Sequence, residues 1–458
     1  MTPSQGLTAA LAQYAAAPDF GADEGLALAA AQAGFMDTLA TLLAGWNEPV
    51  ARIVGAHVGR GPAPAEAPVL FSGALLGSEQ AACINATAAH ALDYDDVAFG
   101  AHPSAVLVSA LLAEGHRLGA TGRAVLRAYV VGFEVWAELF RREPDGLHRK
   151  GWHPTSTLGA VAAAAAVGSL HGLPASQLQT ALALAASQAA GLVAHFGSMA
   201  KPFHAGRAAA AAIDAVRLAA VGMTASPDAL EHHAGFLAAL SPHGRAELAG
   251  PAEVGRGRPQ LLEVGLNVKR YPVCYSGHRV IDGVVALAQC HGLAPQDVEQ
   301  VEVTIGTAQA SMLRNHQPRT ALEAKFSIEF AVASALLAHD CGLAQLTDAF
   351  VNDAQVQALM RQVRTLQNPE PCPLDPTFAL NDRVRITTRG GQVLDSGPIR
   401  FPQGHARQPL NAAQRRAKFM DCLALGGWQR EANGVYAVLG DLVALGDLRA
   451  LAAALARH

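Results

Sequence analysis

The sequence predicts a mainly α-helical protein, with a large all-helical domain built from both chain ends and a smaller α+β domain between them. From the start to about residue 265, alanine and leucine recur at spacings of three and four, which is typical of helices with one buried face. After Gly265 the pattern changes to the alternation of strands, and after Asn411 helical spacing returns. We therefore predict a helical domain from 1–267 and 405–458, and an α+β domain from 268–404.

Each predicted helix ends at a glycine, a proline or a polar turn. Ser78 is a plausible N-cap for the second of them, and Glu79 suits its first turn. The stretch 180–200 carries no formal charge, but it is mostly alanine and contains Ser187, Gln188 and His195, so we expect a buried helix and a turn rather than a membrane span. The predicted helices cover 24–46, 79–92, 104–118, 123–141, 156–171, 175–190, 206–221 and 228–240.

The strands of the smaller domain are predicted from two runs. Residues 298–305 (VEQVEVTI) place Val301, Val303 and Ile305 on one face of a half-buried strand. Residues 383–394 alternate on both sides of Gly390 and Gly391, which predicts a hairpin. Further helices are predicted over 327–339, 412–424, with Asn411 as N-cap, and 435–457.

Composition narrows the classes of function. The 458 residues are 51% hydrophobic and only 16% charged, with a net charge of −4, so we expect no nucleic-acid partner and no anionic membrane partner. The six cysteines form no C-x-x-C pair, which argues against a disulfide framework and a zinc site and fits a reducing cytosol. Residues 1–5 lack the basic start of a signal peptide, so a cytoplasmic location is expected.

The most informative segment runs from His90 to Asp96 (HALDYDD), because ionisable groups are costly in apolar surroundings unless they are paired. Asp93 and Asp96 share a face if the helix continues through them, and such proximity would raise the pKa of one of them. The alternative is that one of the two caps the following loop. Asp95 is expected to be structural, and His90 to hydrogen-bond Asp93.

Two histidines, His102 and His153, each precede a proline, which disfavours helix for the residue before it. Both are therefore expected in loops that open helices, and a helix N-terminus also favours a bound anion. Histidine is the side chain best suited to exchange protons near neutral pH. These two rings are the candidate acid and base.

Lys201 follows the charge-free stretch, so it either extends to solvent or meets a buried anion. His204 and Arg207 lie close to it in the chain, where Arg207 could bind a carboxylate or face solvent. The pair His232 and His233 has no third ligand at metal-site spacing, so we read it as exposed and predict no metal site.

Six ordered segments together resemble the MmgE/PrpD family, whose members include 2-methylcitrate dehydratases, cis-aconitate decarboxylases and iminodisuccinate epimerases. The resemblance implies a helical domain, a smaller α+β lid domain, a homodimer, a small polycarboxylate as substrate, and no metal or organic cofactor. The segments are 85–96 (NATAAHALDYDD), 102–104 (HPS), 151–156 (GWHPTS), 201–206 (KPFHAG), 269–272 (KRYP) and 323–327 (EAKFS).

The resemblance also implies site residues, taken position by position from the matching segments. Their chemistry suits removal of a proton from a carbon next to a carboxylate, with lysines facing the developing negative charge. The implied catalytic residues are Asp93, His102, His153, Lys201 and His278, and the implied substrate-binding residues are Lys269, Arg207, His204 and Cys274.

One position separates the reactions found in the family. The cis-aconitate decarboxylases carry a catalytic histidine where this chain has Cys274, which argues against decarboxylation. We therefore predict a hydro-lyase resembling 2-methylcitrate dehydratases, with an epimerase of a dicarboxylate such as iminodisuccinate as the alternative. A non-enzymatic carboxylate sensor would need the anion-binding lysines but not the pair of histidines.

Overall fold

A computed structural model describes residues 6–61, 64–70 and 72–455 of the chain, so the expectation for residues 1–5 and the last two residues of the predicted helix 435–457 lie outside the described part. The described part is mainly helical, with a small mixed sheet, as the sequence predicts. The helices are α1 Leu7–Ala16, α2 Glu24–Gly45, α3 Pro49–Val58, α4 Ser78–His90, α5 Pro103–Leu118, α6 Gly122–Arg141, α7 Pro154–Leu170, α8 Ala175–Gln188, α9 Ala200–Ala220, α10 Phe236–Leu240, α11 Gln260–Glu263, α12 His278–His291, α13 Thr307–Met312, α14 Ala321–Ala324, α15 Ile328–Ala338, α16 Asp348–Val351, α17 Ala354–Met360, α18 Ala412–Leu425, α19 Ala432–Gly440 and α20 Arg449–Leu455. The strands are β1 Ala67–Pro68, β2 Leu75–Leu76, β3 Val298–Gly306, β4 Val363–Asn368, β5 Arg383–Thr388 and β6 Val393–Asp395.

The chain forms two compact units. Unit 1 comprises 1–192, 200–266 and 414–458, and unit 2 comprises 193–199 and 267–413. Compared with the predicted division, the short segment 193–199 belongs to unit 2, and unit 2 extends to 413 rather than to 404. Phe196 explains the first difference, because its ring packs 5.6 Å from the ring of Phe326 in the core of unit 2.

Unit 1 is a layered helical assembly with α7 at its centre. Fifteen of the 17 residues of α7 are buried, and more than half of these are alanine or glycine, so neighbouring helices approach it closely. Gly206 brings α9 against α4 in the same way, since a Cβ atom there would lie 2.4 Å from the carbonyl oxygen of Cys83. This close approach brings the start of α9 towards the end of α4.

Unit 2 contains a four-stranded sheet in the order β4-β3-β5-β6. Strand β3 pairs parallel with β4 and antiparallel with β5, and β5 pairs with β6 across the predicted hairpin. Val301, Val303 and Ile305 are all fully buried, which confirms the predicted inner face of β3. Gly391 has a φ of 83°, the left-handed conformation that this turn requires of a glycine.

Two predicted helices are wrong in part. Only Phe236–Leu240 of the predicted 228–240 is helical, because backbone N–H groups before it bond to side chains instead, Leu230 to Thr8 Oγ1 and Ala234 to His232 Nδ1. The predicted helix 435–457 is broken after Gly440. There the backbone turns to bond the start of α6, with Gly122 N–H donating to the carbonyl of Leu445.

Two helix ends near the predicted site also differ. The helix α4 begins at Ser78, with Gly77 rather than Ser78 at the N-cap position. It ends at His90 rather than at residue 92, and Asp93 has a φ of 52°. A left-handed residue cannot continue a right-handed helix, so the acidic segment forms a loop.

One helical stretch among the described residues, Gly21–Gly45, is long and apolar enough to cross a membrane by length and composition. In its most apolar window 67% of the residues are buried within the protein. A central helix of a helical core meets the same two criteria, so this stretch is weak evidence for a membrane span.

Candidate active site

The predicted site residues of unit 1 are positioned by the loop between α4 and α5. The loop contains a tight turn at residues 98–101, in which the N–H of Ala98 and of Ala101 each bond to the other residue's carbonyl. Its two central residues, Phe99 and Gly100, have φ values of 54° and 62°. The Phe99 ring packs against Phe133 and Phe140 of α6, at centroid distances of 5.2 and 5.3 Å. The turn therefore delivers His102 to a fixed position at the start of α5.

Lys201 lies in the first turn of α9, is 4% exposed, and meets the end of α4. Its Nζ atom is 2.5 Å from Asp93 Oδ1 and 2.9 Å from His90 Nε2. The structure thus places Lys201 beside a buried anion, and the solvent-exposed alternative is wrong. The carboxylate of Asp93 keeps the ammonium ion paired where burial alone would penalise its charge.

Asp95 is fully buried, hydrogen-bonds one imidazole and lies within ion-pair distance of a second. Its carboxylate oxygens lie 3.0 Å from His90 Nδ1 and 3.2 Å from His102 Nδ1. Burial favours the neutral acid, but the two neighbouring rings outweigh it and hold the pKa of Asp95 well below its usual range. The expectation that His90 bonds Asp93 is wrong, because the loop turns Asp95, rather than Asp93, towards Nδ1 of His90.

His102 lies between two carboxylates. Its Nδ1 atom faces Asp95 at 3.2 Å, and its Nε2 atom faces Asp93 Oδ1 at 3.5 Å. The side chain is 11% exposed, and the backbone N–H donates to Thr155 Oγ1 at 3.2 Å. Two anions around one imidazole favour its charged form.

His153 is the residue before α7, as predicted, and it is 1% exposed. Its Nδ1 atom is 3.1 Å from His204 Nδ1, and its ring stacks on that of His90 at 5.9 Å. Burial first, and the nearby Lys201 charge second, hold the pKa of His153 well below its usual range. His153 is therefore a neutral base candidate at neutral pH, and His204 bonds directly to it.

His148 is a member of this cluster that the sequence did not reveal. It lies in the short 3₁₀ helix Leu147–Lys150, and burial together with the charge of Lys201 lowers its pKa to about 4. No motif marks it, and only its position five residues before His153 could have suggested it.

Two predicted contributions of unit 1 are not found. Asp96 does not share a helical face with Asp93, since the helix has ended, and its carboxyl accepts a hydrogen bond from Ser104 at 2.5 Å. Its pKa is raised well above the usual range, as predicted for one of the two acids, but by burial and by the charge of Asp37. Arg207 is exposed on α9, six residues after Lys201, and no described hydrogen bond or ion pair joins it to these rings.

The remaining predicted residues belong to unit 2. Lys269 is fully buried, and its Nζ atom donates to the carbonyl of Val273 at 2.9 Å. His278 is the first residue of α12, and its Nε2 atom lies 3.2 Å from the same carbonyl. Cys274 is 8% exposed, and its backbone N–H bonds to the carbonyl of Lys325. Lys269 and His278 thus converge on one carbonyl within unit 2.

Among the described residues, one group of three ligand-type side chains, His90, Asp95 and His102, lies close enough together to hold a metal ion. The donor set does not suit ligation, because the Lys201 ammonium can only donate and so needs the lone pair on His90 Nε2. The proton of the neutral ring then sits on Nδ1, the atom that would have to bind the metal. The group is better described as a hydrogen-bonded cluster.

Comparison with known proteins places the chain in a family. The model of the MmgE/PrpD N-terminal domain matches residues 9–249, and that of the MmgE/PrpD C-terminal domain matches residues 271–435. The cis-aconitate decarboxylase of Homo sapiens is 28% identical over 352 residues, which cover 74% of this chain and 71% of that protein. The cis-aconitate decarboxylase of Aspergillus terreus is 27% identical over 372 residues, which cover 76% and 75%. The two domain matches together span most of the sequence, and the chain belongs to the MmgE/PrpD family.

Proposed function

We propose that the protein is a lyase that acts on a small di- or tricarboxylic acid by proton transfer, without a metal or organic cofactor. The observation that carries this proposal is the buried cluster of unit 1. This cluster contains three groups suited to proton transfer. They are the His102 imidazole between two carboxylates, the neutral His153 imidazole, and the Lys201 ammonium ion paired with Asp93. Membership of the MmgE/PrpD family supports the same class of chemistry.

The two histidines are suited to opposite tasks. His153 is neutral at neutral pH, so it can accept a proton from the carbon next to a carboxylate. His102 faces Asp93 and Asp95, so it can donate a proton to the leaving group. Correct placement of such an acid or base typically contributes about 10²–10⁴-fold to the rate.

Lys201 supplies the positive charge that the reaction needs. Removal of the α-proton places negative charge on the substrate carboxylate, and a buried ammonium ion stabilises it more than an exposed one would. A preorganised donor of this kind is worth about 3 kcal/mol of barrier height. That Lys269, His278 and Cys274 of unit 2 bind substrate remains a prediction from the sequence.

The specific reaction that we propose is dehydration. Decarboxylation is the second candidate, and the named relatives favour it, since both are cis-aconitate decarboxylases. Against it stands Cys274, at the position where the family resemblance puts a catalytic histidine in those decarboxylases. Epimerisation needs the same acid and base and differs only in returning the proton to carbon. The homodimer and the cytoplasmic location remain predictions.

The experiment that separates these reactions is NMR in D₂O with a panel of citrate-like, aconitate-like and aspartate-derived acids. Dehydration gives a new vinyl signal, decarboxylation gives loss of CO₂, and epimerisation gives deuterium exchange without a new alkene. His102→Gln should abolish the signal, while His233→Gln, at an exposed histidine, should leave it unchanged.

A different result would reject the proposal. If no acid reacted or exchanged, and His102→Gln bound the acids as tightly as the unmodified protein, the cluster would be a carboxylate-binding site without catalysis. If the acids only lost CO₂, dehydration would be rejected, but the assignment of the protein as a lyase would stand.

A further inference from the structure

We propose that Asp95 is a positioning residue, whose carboxylate holds the Nδ1–H groups of His90 and His102 at once and so fixes which nitrogen of each ring faces Lys201 and Asp93. This inference rests on the proposed function, because it says which residue orients His102, the proposed general acid. It departs from the expectation that Asp95 is merely structural, and no matched family segment assigns Asp95 a role.

The proton on His90 can be located from its two partners. An ammonium ion has only donors, so Lys201 Nζ, at 2.9 Å, must bond to a lone pair on His90 Nε2. A neutral ring with a lone pair on Nε2 carries its proton on Nδ1, which lies 3.0 Å from both oxygens of Asp95. Burial keeps this ring neutral, and its pKa is lowered to about 4.

The proton on His102 follows in the same way. One oxygen of Asp95 faces Nδ1 of His102 at 3.2 Å, so the charge of the carboxylate favours a proton on that nitrogen. The other nitrogen, Nε2, then points at Asp93, 3.5 Å away. With a carboxylate at each nitrogen, the ring is stable with both protons in place, and the Nε2 proton is the one available for transfer.

Without Asp95 the positions of the protons on the two rings are no longer fixed. The His90 ring could then turn or exchange its tautomer, and an Nε2–H would confront the Lys201 ammonium. His102 would lose the neighbouring carboxylate that keeps its donor nitrogen aimed at Asp93. In enzymes where an aspartate bonds a catalytic histidine, replacing that aspartate by asparagine leaves the geometry intact but gives the histidine the wrong tautomer. The same effect is expected here.

The first test needs neither a substrate nor a variant of Asp95. Protein labelled with ¹⁵N-histidine is examined at pH 7 by long-range ¹H–¹⁵N NMR, with the two rings assigned from the signals missing in His90→Gln and His102→Gln. His90 should show a protonated Nδ1 and a bare Nε2, and His102 should show protons on both nitrogens. A His90 ring protonated on Nε2 would overturn the proposal, even if the proposed reaction were confirmed.

The second test compares Asp95→Asn with Asp96→Asn. The control is a neighbouring buried acid that bonds Ser104 rather than an imidazole. With the acid identified in the D₂O panel, Asp95→Asn should lower kcat by about 10²–10⁴-fold with KM within about twofold, and should shift the acid limb of the pH profile. Asp96→Asn should leave kcat and the profile close to those of the unmodified protein. Equal behaviour of the two variants would overturn the proposal.

The two proposals fail in distinguishable ways. If no acid in the panel reacts, the NMR tautomers still decide whether Asp95 orients the rings. If the reaction proceeds but the rings carry their protons elsewhere, Asp95 is a structural acid and the lyase stands.

Discussion

Lys201 balances the buried charge of Asp93 and bonds His90, and under the proposed function the same side chain also takes part in the reaction. A buried ammonium ion is stable only while its partners remain, and here both partners lie on the loop or helix end that forms the site. Truncating such a residue therefore has two separable effects. One is loss of the positive charge that the proposed function assigns to the substrate carboxylate, and the other is a buried carboxylate, Asp93, that loses its ammonium partner.

We expect Lys201→Ala to abolish turnover and to lower the free energy of unfolding by about 3–5 kcal/mol, because the buried carboxylate of Asp93 loses its ammonium partner. The double variant Asp93→Asn/Lys201→Met removes both charges and should recover most of that stability, but no activity. Urea unfolding and the NMR assay measure the two effects separately. A single variant as stable as the unmodified protein would show that solvent reaches Asp93.

For individual residues, the sequence could identify most members of the candidate site but not which of them bond to each other. The motifs pointed to Asp93, His102, His153 and Lys201, and the structure brings all four together. Which acid meets which ring depends on where α4 ends and on the left-handed turn at Asp93, and neither leaves a periodic signal. The contacts of Asp95 with His90 and His102 were missed for that reason.

Two buried or half-buried side chains that join helices of unit 1, Glu134 and Arg217, respond to titration or charge in ways that can be measured. Glu134 on α6 is 4% exposed and accepts a hydrogen bond from the N–H of Leu261, in α11, at 3.1 Å. Burial raises its pKa from 4.5 to about 7. The folded protein thus binds a proton at Glu134 that the unfolded chain releases at lower pH.

The contribution of Glu134 to stability is therefore present below pH 4.5 and is lost as the pH rises through 7. The loss amounts to about 3 kcal/mol over that window. Glu134→Gln should remove this part of the pH dependence, as followed by urea unfolding between pH 4.5 and 8. The exposed Glu263→Gln, also in α11, is the control and should follow the unmodified protein. If the two variants give parallel curves, Glu134 is ionised throughout.

Arg217 on α9 joins several elements through carboxylates. It bonds Glu79 of α4 at 2.7 Å, Glu114 of α5 at 2.6 Å and Glu66 at 2.8 Å. Glu114 is fully buried, and although burial opposes it, the His171 and Arg117 hydrogen bonds and the Arg217 charge bring its pKa to about 2.

We expect Arg217→Gln to cost about 1.5–3 kcal/mol, because the buried Glu114 loses one charged hydrogen-bond partner and keeps Arg117 and His171. The matched variant Arg123→Gln breaks a pair with Glu24 in which the arginine side chain is 58% exposed, and should cost less than about 1 kcal/mol. Thermal unfolding of both variants gives the comparison. Similar small losses would show that water compensates Glu114.

The helices whose apolar spacing is continuous were predicted to within a few residues, except that α9 begins six residues earlier, at Ala200. The failures occur where backbone groups find partners outside the element, as at 228–235 and after Gly440. The spacing of apolar residues indicates which face of a helix is buried. It cannot indicate a bond from Leu230 to a threonine more than two hundred residues away. The strands of unit 2 were recognisable because alternation needs only neighbours in sequence.

Unit 1 draws on three separate stretches of chain, so the molecule depends on contacts between distant segments. Lys418 on α18 is one of them: its Nζ atom lies 2.7 Å from Asp37 Oδ1 on α2 and donates to the carbonyl of Tyr94 at 2.8 Å. It also lies over the Tyr94 ring, 4.2 Å from the centroid. Lys418 therefore connects the C-terminal stretch of unit 1 to the loop that contains Asp93 and Asp95.

Lys418→Met should lower the free energy of unfolding by about 3–5 kcal/mol and also reduce kcat, since it unpairs Asp37 and releases the carbonyl of Tyr94. Asp37→Asn/Lys418→Met should restore the stability, and restore kcat only in part. Unfolding and turnover are measured on the same preparations. Full kcat in the single variant would show that the loop keeps its shape without α18.

The tight turn at 98–101 has a consequence for how this region opens. Phenylalanine disfavours the left-handed backbone that Phe99 adopts, at a cost of about 1–3 kcal/mol, and its packing on α6 offsets that cost. The turn and α6 should therefore lose their structure together rather than in sequence. In native-state hydrogen exchange, the amides of Ala98 and Ala101 should share the opening free energy of the α6 amides around Phe133, and a denaturant should shift both sets in parallel.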